Sequence, residues 1–92
     1  MARFRREQIS FHGTATAWKR KGESGNTLTC RFCPTCGSTV YFENEALPEF
    51  VAVAIGNFAD PNFPAPIISV WEQTRHPWVS LPPETTRMAK PG

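Results

Sequence analysis

The chain has 92 residues, which allows one small domain with a limited core. Its 40% hydrophobic and 20% charged content fits a folded globular chain and excludes a disordered one. Net charge is only +2, yet residues 1–31 carry seven Lys or Arg against two Glu, whereas residues 32–92 carry three against six acids. The basic first third lacks the aromatic interleaving of a nucleic-acid surface and reads as a solvated edge, so nucleic acid is not the expected partner.

Residues 1–12 form a basic N-terminal segment with a candidate edge strand. They lack the apolar stretch of a secretory signal. Ile9-Ser10-Phe11-His12 alternates over a short run. Ala15 to Lys21 and Thr27 to Phe32 read as two strands around the turn residues Ser24-Gly25-Asn26, so 14–32 is a predicted hairpin. Ser38 to Glu43 is rich in β-formers. Phe50 to Ile55 is the most apolar run, and Pro48 and Gly56 bound it as a strand. Residues 56–66 hold three prolines and read as loop, with one helical turn near Phe58-Ala59-Asp60. Ile67 to Glu72 is the last predicted strand, and 83–92 a loose tail. The expected fold is therefore all-β: about six short strands in antiparallel sheets, with little helix. Phe32, Val40, Phe42, Val51, Val53, Ile55, Ile68, Val70 and Trp71 are the expected core. No apolar run approaches the roughly 20 residues of a membrane span, and the expected location is the cytoplasm.

The chemistry concentrates in three cysteines, Cys30, Cys33 and Cys36. An odd, clustered count argues against a disulfide framework. Cys33-Pro34-Thr35-Cys36-Gly37 lets a tight turn aim two sulfurs at one ion, with Pro34 setting the first bend and Gly37 tolerating positive φ. Zinc suits two such thiolates. A thioredoxin-like redox pair has the same spacing, but that motif opens a helix, and β-formers follow here. A structural zinc takes four ligands, and the turn supplies two. Cys30 is a third candidate, although it shares a strand face with Phe32, leading away from the turn. His12 and His76 are further candidates. Glu43, Glu45 and Glu49 read as a solvated acidic loop. No phosphate loop, nucleophile elbow or Ser-His-Asp set is present, so no catalytic residue is assigned.

Thr29 to Ser38 followed by Tyr41-Phe42, then Ile55-Gly56-Asn57-Phe58-Ala59-Asp60-Pro61, Ser69-Val70-Trp71-Glu72 and Arg75-His76-Pro77-Trp78, together resemble the glutathione-dependent formaldehyde-activating enzyme family over residues 13–82. The resemblance implies stacked β-sheets (a β-tent-like fold), carbon-sulfur lyase chemistry on a glutathione-type small molecule, and two zinc sites. Cys33 and Cys36 map onto the structural site. Cys30 has no counterpart, and the catalytic cysteine cluster has no match, because the chain begins after both early cysteine motifs. The expectation is a partial, zinc-binding domain, inactive by itself as a lyase and completed by a homodimer or a partner chain. The rival expectations are a subunit of a split lyase and a zinc-ribbon-like binding module for nucleic acid or protein.

Overall fold

Strands form where β-branched and aromatic residues cluster between turn-forming residues, and seven do so among the described residues. The computed structural model describes residues 1–90. It divides into two compact units, Met1–Pro61 and a second that begins at Asn62. The first unit holds β1 (Ala2–Arg5), β2 (Thr16–Lys21), β3 (Thr27–Phe32), β4 (Thr39–Asn44) and β5 (Phe50–Val53). They make one antiparallel sheet in the order β1-β5-β4-β3-β2. The expected all-β class holds: among the described residues the longest helical segment is the four-residue 3-10 turn Ile55–Phe58. No helix among the described residues is long and apolar enough to cross a membrane.

Cross-strand partners share a sheet face. One row therefore runs Trp18, Cys30, Phe42, Ala52, Arg3, and the row on the other face runs Ala17, Arg31, Tyr41, Val53, Ala2. The first face carries a shallow cleft lined by Arg3, Phe42, Asn44, Leu47, Phe50 and Ala52, where the Arg3 guanidinium lies 5.8 Å from the Phe50 ring centre. On the second face Phe4 meets Phe58 at 5.9 Å and Phe11 meets Tyr41 at 5.0 Å.

Three predicted elements end differently. Ile9–His12 is not a strand: the chain turns over Arg6–Gln8, and the Gln8 side chain accepts the Arg5 backbone N–H at 3.0 Å. The strand expected over Ile67–Glu72 shrinks to β6 (Ile68–Ser69), because Trp71 takes a left-handed conformation and Glu72–Thr74 close a 3-10 turn. Of the tail expected to be loose, Thr86–Arg87 form β7, while residues 91–92 lie outside the described residues. β6 and β7 pair in parallel, not antiparallel as expected. The long connection between them returns the chain to the same end before it re-enters the sheet.

The expected core is only partly realised. Val51 is the one fully buried apolar side chain among the described residues. Phe32, Val40, Phe42, Val53 and Trp71 are half-buried, whereas Ile55, Ile68 and Val70 are exposed. Ile55 falls beyond the end of β5, and β6 spans two residues, so these side chains lack the cross-strand neighbours that a longer strand supplies.

A polar clamp joins segments of the first unit that are far apart in sequence. Glu43 on β4 accepts hydrogen bonds from Arg6 and from Arg31 Nε, the latter at 3.2 Å. Arg6 Nε also donates to the Pro48 carbonyl at 3.2 Å. Partial burial pushes the Glu43 carboxyl up, but Arg6 and then Arg31 outweigh it and hold it below the usual range. A carboxyl depressed by folding stabilises the native state above its unfolded pKa. That stabilisation is lost as pH falls through the lower folded value. Urea unfolding midpoints followed from neutral pH to about pH 3 are therefore expected to fall for the wild type and to flatten in Glu43→Gln. Parallel pH profiles would show that the clamp contributes nothing.

Candidate metal centre

β3 and β4 are joined by the cysteine turn, and the ladder bonds place it. The Cys33 N–H donates to the Ser38 carbonyl at 2.9 Å, and the Gly37 N–H donates back to the Cys33 carbonyl at 2.9 Å. The register shifts between Arg31 and Phe32, just before the turn. Such an irregularity tightens local twist and re-aims the residues that follow. Gly37 closes the turn at φ +80°, where a side chain would be strained although nothing crowds the site.

The two thiols interact within this turn. Cys33 is half-buried and Cys36 exposed. The Cys36 thiol donates to Ser38 Oγ at 3.3 Å. When Cys36 ionises, the hydroxyl can rotate to donate to the sulfur. The Ser38 side chain is the main cause holding the Cys36 thiol below its ordinary pKa, followed by the Ser38 backbone and the Cys33 side chain; desolvation opposes them. Thiolate is the metal-binding and nucleophilic form.

Cys30 sits elsewhere. It lies within β3, in register with Trp18 on one side and Phe42 on the other, and is half-buried. His12 is exposed in the stretch between β1 and β2. His76 stacks on Trp78 with ring centres 5.6 Å apart. Among the described residues no group of three or more His, Cys, Asp or Glu side chains is placed to hold a metal ion. Cys33 and Cys36 are thus brought together as a pair, and neither Cys30 nor a histidine joins them.

Two residues near the turn escaped the motif reading. Ser38 has a weak signal, a hydroxyl two positions after a thiol. Asn57 has none: its side-chain amide donates to the carbonyls of Thr39 at 3.1 Å and Val40 at 3.0 Å. The Ala54 N–H also donates to Val40 at 3.2 Å. The Ile55–Phe58 turn is thereby tied to the first residues of β4, directly after the cysteine turn.

In the second unit, Ser69-Val70-Trp71-Glu72 is built around one carboxylate. Glu72 accepts from Ser69 Oγ at 2.6 Å and from Arg75 Nε at 3.0 Å, with Arg87 Nη1 at 3.7 Å. Arg75 also donates to the Val79 carbonyl. The Ser69 hydrogen bond, followed by the charges of Arg75 and Arg87, holds Glu72 below the usual carboxylate range. All of its partners are internal, which makes it a lock on the chain path rather than a free acid or base.

A predominantly antiparallel β fold with a solvent-facing Cys-Pro-x-Cys-Gly turn at the end of a hairpin defines the class: a small β protein with a thiol pair. The glutathione-dependent formaldehyde-activating enzyme family matches residues 1–74, and the chain belongs to that family. The matched span takes in β1, the cysteine turn and the Ile55–Pro61 and Ser69–Glu72 segments; Arg75–Trp78 lies beyond it. Comparison with curated proteins and with solved structures found no match.

Proposed function

We propose that this chain binds zinc through Cys33 and Cys36 at a structural site whose remaining ligands come from another polypeptide, in the simplest case a second copy. The carrying observation is the hydrogen-bonded turn that holds two thiols together, with no third metal-holding side chain beside them among the described residues. The donor set fits zinc in part. Two sulfurs on one turn, one of them eased toward thiolate, are half of the tetrahedral set that a structural zinc takes. Two copies related by a twofold axis would each bring the same pair, as an isologous interface requires. Zinc bound there would fix the turn and stabilise a chain with little buried core.

Membership of the family supports a role in glutathione-linked aldehyde chemistry, with a glutathione-type small molecule as the ligand class. Turnover would need a metal with an open coordination position, and catalytic zinc sites use three protein ligands. Among the described residues no three such side chains are grouped, so these 92 residues by themselves are expected to show no lyase turnover.

The test is zinc content per chain by elemental analysis, with native mass on the same sample. One zinc per two chains in a dimer supports the shared site. One zinc per monomer would mean that a ligand within the chain completes it. A folded, metal-free protein would remove zinc and leave Cys33 and Cys36 as a thiol pair.

A further inference from the structure

The five-stranded sheet has two edges, and they are finished differently. At β1 the Arg5 N–H is taken by the Gln8 side chain and the chain turns away. β2 pairs with β3 alone, and all six of its residues are exposed. Its hydrogen-bond phase follows from the hairpin. The Gly22 N–H donates to the Asn26 carbonyl at 2.8 Å, so Gly22 and Asn26 are a hydrogen-bonded pair. Such pairs recur at every second residue of an antiparallel ladder. Arg20, Trp18 and Thr16 are thus bonded to Leu28, Cys30 and Phe32. Ala17, Lys19 and Lys21 turn their N–H and C=O groups outward. The other side of β3 agrees: Thr27 and Cys33 bond toward β4.

The side chains of this edge have a definite chemistry. Lys19 and Lys21 lie on one face with Ala17; Arg20 and Trp18 lie on the other, and Trp18 is 56% exposed. Lys19, Arg20 and Lys21 enter no ion pair among the described residues. Lysines on an edge guard against pairing with neutral or basic strands. The same charges favour an acidic one.

We propose that the β2 edge receives an extended acidic segment of another polypeptide as a sixth, antiparallel strand. Carboxylates would stand opposite Lys19, Arg20 and Lys21, an apolar side chain opposite Trp18, and backbone bonds would run to Ala17, Lys19 and Lys21. None of these residues lies in the cysteine turn, so the inference does not depend on the metal.

The test is an amide NMR titration of the full chain with the capped peptide Thr-Glu-Glu-Glu-Tyr-Val-Thr. Saturable shifts centred on the Ala17, Lys19 and Lys21 amides are expected, weakening as salt rises. Lys19→Glu with Lys21→Glu is expected to weaken binding by about tenfold or more. Lys19→Pro removes an outward donor but no β2–β3 ladder bond, and is expected to abolish the shifts. Retained exchange protection at Thr16, Trp18 and Arg20 would show that its hairpin is intact. Equal binding of a peptide with Lys in place of Glu would overturn the proposal. So would shifts confined to other surfaces, no binding at low salt, concentration-dependent self-pairing at β2 without peptide, or preferential binding of oligothymidylate.

Discussion

Cys36→Ser is expected to lose zinc and, with it, the dimer. A serine hydroxyl at this position is a poor zinc ligand, and removing one thiolate from a two-thiolate contribution leaves each chain with a single sulfur. Altering even an outer-shell partner of a zinc ligand costs about 10- to 100-fold in affinity, so loss of a ligand is expected to exceed about a hundredfold. In a shared site the loss is felt twice, because both copies carry the change. Competition against a chromophoric chelator measures the affinity, and native mass measures the assembly. Cys30→Ser is the matched control. Cys30 lies in the β3 row between Trp18 and Phe42, apart from the Cys33 and Cys36 pair, and its replacement is expected to leave zinc affinity unchanged. If Cys30→Ser releases the metal as readily as Cys36→Ser, the site is a three-cysteine cluster within one chain and the shared-ligand reading fails.

Val51→Ala is expected to be the most damaging conservative change in the apolar set. Val51 is 1% exposed and lies in β5, which is bracketed by β1 and β4. Losing two buried carbons removes about 1.6 kcal/mol of transfer free energy at roughly 0.8 kcal/mol per carbon, and the residual cavity adds to that. A total near 2 kcal/mol corresponds to a fall of about 10 °C in Tm for a chain of this size. Ile68→Ala supplies the contrast, because Ile68 is 50% exposed despite its β-branched side chain. It is expected to cost no more than about 0.5 kcal/mol. Thermal unfolding by circular dichroism compares the two. Equal losses would mean that Ile68 is covered in solution by an associated chain, and the concentration dependence of Tm would then reveal it.

Much of the first unit is legible in the amino-acid order itself. Thr27–Phe32 coincides with β3, and the neighbouring strands differ from expectation by one or two residues at their ends. Alternation and turn residues report local backbone preference directly, and a hairpin is a local object. The second unit is less legible. Ile67 to Glu72 has strand composition throughout, yet Trp71 is left-handed and Ser69 folds back onto Glu72. A hydrogen bond to a carboxylate overrides β propensity there, and propensity carries no information about such a partner. Thr86–Arg87 becomes a strand for the converse reason: Ile68–Ser69, far back in the chain, offers it a ladder.

The sequence by itself determined the β class, the position of the hairpin and the thiol pair, because each depends on residues within a few positions of one another. Cys33 and Cys36 are close by virtue of their spacing, and Gly37 permits the positive φ that closes their turn. Only the tertiary structure decided which apolar residues are buried, that Cys30 faces Trp18 and Phe42, that Asn57 braces the start of β4, and that Glu43 clamps Arg6 and Arg31. It also decided that β2 ends the sheet with its outward backbone groups open. These outcomes depend on strand order and register, which arise from pairing between distant segments that local composition does not encode.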